Sequence, residues 1–72
     1  MPIIEMHLME GRTVEQKRAV AAAIAEAVTR TLGVRPDQVR LLITEHKPDE
    51  FSVGGVTAGQ KQEQAGATAE TS

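Results

Sequence analysis

The sequence contains no cysteine, no tryptophan and no tyrosine, and Phe51 is its single aromatic residue. Without cysteine, neither a disulfide framework nor a thiolate-held structural metal can hold a small fold together. With one aromatic ring there is little large side-chain surface to bury in a core. No apolar run approaches the roughly 20 residues that span a bilayer, and Glu5 breaks the basic-then-apolar layout of a signal peptide. An excess of one charge is missing as well: eight Lys and Arg against ten Asp and Glu leave a net charge of −2. The basic residues are scattered rather than gathered, so there is no electrostatic case for nucleic acid. These absences predict a soluble cytoplasmic protein with neither nucleic acid nor membrane as a partner. At 72 residues the chain makes one domain, and a domain of this size buries only about 60% of the surface its unfolded form exposes. Oligomerisation is the remedy left.

What is present is well punctuated. From Pro2 to Met9, Ile4, Met6 and Leu8 alternate with Ile3, Glu5, His7 and Met9, the pattern of a strand with one face more buried. The stretch "EGRT" turns the chain. Thr13 with Gln16 three residues on is a capping box, and Glu15 sits in the first turn, where the helix dipole favours negative charge. The alanine-rich run "VEQKRAVAAAIAEAVTRTL" carries Val20, Ile24, Ala27, Val28 and Thr31 on one stripe, and Gly33 closes it. A short 3₁₀ turn is expected at "VRPDQ", with Pro36 at its first position. In "VRLLITE", Val39, Leu41 and Ile43 alternate with Arg40, Leu42 and Thr44 as a second strand.

Strand, helix and strand in this span form a β-α-β unit, which places its strands parallel with a right-handed crossover. After the loop "HKPDE", the stretch "FSVGGV" reads as the arm of a short hairpin reversing at Gly54 and Gly55. The fold class is α+β. Two parallel strands alone leave both edges and one whole face uncovered, so neighbouring chains are expected to continue the sheet. The predicted domain covers residues 1–58. From Gly59 onward, "GQKQEQAGATAETS" holds no Leu, Ile, Val, Phe or Met, and a polar tail without order of its own is expected over residues 59–72.

Pro2 is tolerable at the first residue of a strand, where a missing N–H costs little. If Met1 is removed, its ring nitrogen becomes a free secondary amine, and a strand start then carries a base. Proline after the initiator, "HLMEGRT" with "EQK" following, "VRLLITE" and "FSVGG" together resemble the 4-oxalocrotonate tautomerase family, enzymes that isomerise 2-hydroxymuconate and related dienols. The resemblance runs from Pro2 to about Val56.

It implies a tautomerase fold assembled as a hexamer, a trimer of dimers, and keto-enol tautomerisation of a small dicarboxylate or enol in aromatic hydrocarbon catabolism, with no cofactor and no metal. It implies Pro2 as the general base that moves a proton along the conjugated system. An α-amino group ordinarily has a pKa of roughly 7.7 to 8.0, so such a site must favour the neutral amine by desolvation or nearby positive charge. Arg12 would hold the carboxylate remote from the reacting oxygen. Arg40 of a neighbouring subunit would bind the other carboxylate and the 2-oxo or 2-hydroxyl oxygen, where charge develops. Phe51 would line the pocket and keep it dry.

His7 and His46 raise the thought of metal or acid/base chemistry, but no third ligand stands at a helpful spacing, and they read as strand and loop residues. Glu10 is a turn acid or an arginine's partner and stays outside the catalytic set. Relatives that dehalogenate chloroacrylates by adding water carry a second arginine just before the "GR" turn and a water-activating glutamate just after the pocket aromatic. Here those places hold Met9 and Val53, which disfavours hydration. A cytokine of the same superfamily retains the amino-terminal proline but has two β-α-β units in one chain, against one here. Hydratase-like chemistry and a non-catalytic binding role are thus the rival readings.

Overall fold

The computed structural model describes the backbone of residues 1–68 and the side chains of residues 1–65. Strand β1 (Ile3–Met9), helix α1 (Val14–Leu32) and strand β2 (Arg40–His46) follow one another, with a 3₁₀ turn at Pro36–Gln38 before β2. A second 3₁₀ turn at Pro48–Glu50 leads to the two-residue strands β3 (Ser52–Val53) and β4 (Val56–Thr57), and helix α2 (Ala58–Thr68) ends the described chain. The strands β1 and β2 pair in parallel with Ile3 opposite Arg40 and Met9 opposite His46. The expected β-α-β unit and the antiparallel hairpin are both present.

The alternation in sequence becomes two unlike sheet faces. Ile4, Met6, Leu8, Leu41 and Ile43 are half-buried, while Ile3, Glu5, His7, Arg40, Leu42 and Thr44 are exposed. Helix α1 covers the first face. Its start is fixed by reciprocal bonds, Gln16 N–H to Thr13 Oγ1 at 3.0 Å and Thr13 N–H to Gln16 Oε1 at 3.0 Å. Its end is Gly33 at φ 72°, whose N–H reaches the Thr29 carbonyl at 3.0 Å. Val20, Ile24, Ala27 and Val28 face inward as expected, but Thr31 is exposed and returns its hydroxyl to the Ala27 carbonyl at 2.7 Å. In the first turn of α1, Lys17 binds Glu45 of β2 at 3.0 Å, tying the helix to the sheet.

No side chain among the described residues is fully buried. On the open face Ile3 is 60% exposed and Leu42 51% exposed. The radius of gyration, 16.4 Å, compares with about 11 Å for a compact domain of this length. An isolated chain therefore lacks a closed core, in keeping with the expected need for neighbours.

The hairpin turns through Gly54 at φ 61° and Gly55 at φ 84°. Two consecutive residues at positive φ are the requirement of a type I′ turn, which glycine meets without a steric penalty. Beyond it the structure departs from the polar tail expected from residue 59. Thr57 caps α2 as Thr13 caps α1: Gln60 N–H donates to Thr57 Oγ1 at 3.0 Å and Thr57 N–H to Gln60 Oε1 at 2.8 Å. The Thr57 hydroxyl also donates to Asp49 Oδ1 at 2.8 Å, and Ala58 N–H donates to the Phe51 carbonyl at 2.8 Å. Local capping and helix-forming Gln, Lys, Glu and Ala thus order a segment that has almost nothing apolar to bury. The rest of the expected tail, residues 69–72, lies outside the described residues.

Candidate active site

Pro2 precedes the first residue of β1 and is half-buried. It has no N–H to give, but its carbonyl accepts the Arg40 N–H at 3.0 Å, so the parallel ladder begins at the proline itself. Parallel pairing puts the starts of β1 and β2 side by side, which sets Pro2 next to Arg40 within one chain. The Arg40 side chain is exposed and its Nη1 donates to the Asp37 carbonyl at 2.6 Å. That carbonyl belongs to the Pro36–Gln38 turn, which Arg35 caps through its N–H to Gln38 Oε1 at 3.0 Å. The turn thus holds the arginine at the strand entrance.

Arg12 and Phe51 lie at the other end. Arg12 is exposed in the turn between β1 and α1 and borders a pocket of about 200 Å³ with Met6, Leu8, Gln16, Lys17 and Val20. Phe51 is 48% exposed just after the Pro48–Glu50 turn and borders a second pocket, about 340 Å³, with Leu8, Met9 and Glu50. Seven residues of β1, at about 3.3 Å each, separate the two ends by roughly 20 Å. No small dicarboxylate bridges that span. One chain therefore divides the candidate residues into two groups, Pro2 with Arg40 at one end and Arg12 with Phe51 at the other.

Neither Arg12 nor Arg40 is in an ion pair among the described residues, where Lys17 and Arg35 supply the cationic partners and His7 Nε2 lies 3.8 Å from Glu5 Oε1. Glu10 is a turn residue whose N–H donates to the His46 carbonyl at 3.0 Å, and it holds no arginine. His46 is not in a loop: β2 runs through it, and His7 and His46 touch across the ladder. Sequence reasoning did not bring these two together, because their contact depends on register.

The family profile described as "Tautomerase enzyme" matches residues 2–61. A 2-hydroxymuconate tautomerase of Pseudomonas putida is 38% identical over 60 residues, covering 83% of this chain and 95% of the relative. Among solved structures, a chain from work on the 4-oxalocrotonate tautomerase isozymes of Methylibium petroleiphilum superposes with a TM-score of 0.86 at 64% identity, covering 89% of this chain and all of the other. A heterohexamer 4-oxalocrotonate tautomerase from Chloroflexus aurantiacus superposes with a TM-score of 0.78 at 33% identity, covering 83% of this chain and 97% of its own. With the β-α-β unit, the hairpin and the opening proline all in the matched region, the chain belongs to the tautomerase family, whose members are isomerases.

Proposed function

We propose that this tautomerase converts 2-hydroxymuconate-like dienols to 2-oxo-3-enoates, with Pro2 as the base once Met1 has been removed. The observation that carries the reading is the division of the candidate residues between the two ends of one sheet. Each end is half of a pocket, and a second chain running antiparallel would bring the start of one β1 to the finish of another. The exposed sheet edges and the uncovered face with Ile3 and Leu42 give such an assembly its contact surface. The Chloroflexus relative is a heterohexamer; a homohexamer, a trimer of dimers, is the form proposed here, working in the cytoplasm. Among the described residues no helix is long and apolar enough to cross a membrane.

The chemistry follows from the groups. While Met1 is attached, the Pro2 nitrogen is an amide and has no basic lone pair; as a free amine it takes the proton from the dienol hydroxyl. Electron density then moves along the conjugated system to a distant carbon, which receives the proton back from Pro2. A guanidinium at the 2-oxygen stabilises the charge that builds there and so acts more on the transition state than on the ground state. That role falls to Arg40. Arg12 of another chain grips the remote carboxylate with two parallel hydrogen bonds, and Phe51 keeps water from the reacting carbons.

The experiment combines mass spectrometry of the native protein with ultraviolet assay of 2-hydroxymuconate. Loss of Met1 and substantial loss of kcat in Pro2→Ala are expected. Full activity with Met1 retained, or an unimpaired Pro2→Ala enzyme, overturns the assignment.

A further inference from the structure

His7 and His46, 39 positions apart, meet on the sheet face that α1 leaves open, and the tautomerase reading uses neither. His7 Nδ1 lies 2.8 Å from His46 Nε2. The ring centroids are 5.1 Å apart and the planes are inclined by 21°. The nitrogen gap plus one ring radius on each side accounts for that whole separation, so the nitrogens lie on the line joining the ring centres. The rings therefore stand end to end rather than face to face. Two imidazole nitrogens aimed at one another in this way hold one hydrogen between them, one donating and the other accepting.

Glu5 decides which. Its Oε1 stands 3.8 Å from His7 Nε2, the nitrogen on the far side of the ring. A carboxylate there favours N–H at Nε2, which assigns the bare lone pair to Nδ1 and makes His46 Nε2 the donor. At 3.8 Å the carboxylate is a charge contact rather than a hydrogen bond; closing that gap would give the carboxylate–imidazole pairing found behind metal-bound histidines.

A third donor adjoins the pair. Met9 follows His7 by two residues and so shares its face of β1; it stands opposite His46 in the register. It also borders the same pocket of about 340 Å³ as both rings. Among the described residues no three His, Cys, Asp or Glu side chains converge as a metal cage, so the donor set is two imidazoles and a thioether. A soft sulfur beside imidazole nitrogens suits monovalent copper, whereas hard cations prefer oxygen. We propose that His7, His46 and Met9 form a binding site for a monovalent copper ion, the ion replacing the hydrogen between the two rings, with Glu5 orienting His7.

The geometry asks for a small movement. Imidazole nitrogens about 2.0 Å from an ion and in line across it are roughly 4 Å apart, so the rings would part by roughly 1 Å. His46 would pass its proton from Nε2 to Nδ1, and both rings would ligate as neutral groups.

The test titrates the assembled full-length protein with Cu(I), anaerobically and against a chromophoric Cu(I) chelator, with Zn²⁺ in parallel. One Cu(I) per chain is expected to survive the competition, with nitrogen and sulfur neighbours in its X-ray absorption spectrum. Glu5→Gln is expected to weaken retention by about tenfold, the usual scale for losing an outer carboxylate. His46→Gln is expected to weaken it further, and Met9→Leu to weaken Cu(I) while leaving Zn²⁺ unaffected. Circular dichroism and sedimentation establish that each variant folds and assembles; should His46→Gln fail to do so, His7→Gln takes its place. Complete transfer of copper to the chelator, retention indifferent to the histidine substitutions, or a spectrum without sulfur overturns the proposal.

Discussion

Arg12 and Arg40 of one chain are held at opposite ends of a seven-residue strand, so a pocket containing both must draw them from different chains. Two inactive variants should then restore each other. In Arg12→Ala every pocket loses its grip on the remote carboxylate, which weakens substrate binding, and in Arg40→Ala it loses the preorganised contact to developing charge, which lowers turnover by about 10²- to 10³-fold. If the two variants are unfolded together in equal amounts and refolded as mixed oligomers, each arginine position is filled by an intact chain half of the time. About one quarter of pockets then receive both arginines, because the two positions are filled by independently drawn chains of a symmetric assembly. Turnover of 2-hydroxymuconate should climb to about a quarter of the unmodified enzyme's value, far above either parent. Parents mixed without unfolding should gain only as fast as chains exchange. A refolded mixture no more active than the mean of its parents would refute the division of the pocket between chains.

Removing the α1 cap with Thr13→Ala should cost about 1 kcal/mol, read as a lower midpoint in urea; an unchanged midpoint would mean that the Thr13–Gln16 bonds carry no weight. Gly59→Ala places a methyl group against the Asp49 carboxylate, which must turn away and give up its bond from the Thr57 hydroxyl, so the start of α2 should become more open to limited proteolysis. Cleavage no faster than in the unmodified chain would count against that packing. Leu42→Asp puts a charge on the open sheet face and should split the oligomer in sedimentation, with activity falling in parallel, since burying an unpaired carboxylate costs several kcal/mol. An intact and active Leu42→Asp oligomer would show that this face is not an interface.

The elements set by neighbours in sequence were legible. Thr13 with Gln16, Gly33 after Leu32, and the alternation Ile4, Met6, Leu8 each follow from local backbone chemistry, and the structure holds them where they were expected. Helix α2 was not, although its signal was present. Thr57 and Gln60 repeat the Thr-x-x-Gln spacing that starts α1, a signal the reading of residues 59–72 by their lack of apolar side chains does not use. Thr31 belongs to the inner stripe by period alone, but the end of α1 from Arg30 to Leu32 is exposed. Pro2, Arg12, Arg40 and Phe51 were chosen through the resemblance. Their separation into two ends comes from parallel pairing and the 3₁₀ turns, and the meeting of His7 with His46 depends on a register that spacing along the chain does not encode.

A chain in which no described side chain is fully buried would owe its integrity to companions in the proposed assembly, so that folding and association become one reaction governed by mass action. Its melting temperature should rise with protein concentration. At high dilution, catalytic output should fall faster than the number of molecules, which makes the rate of synthesis in the cell a steep control on activity.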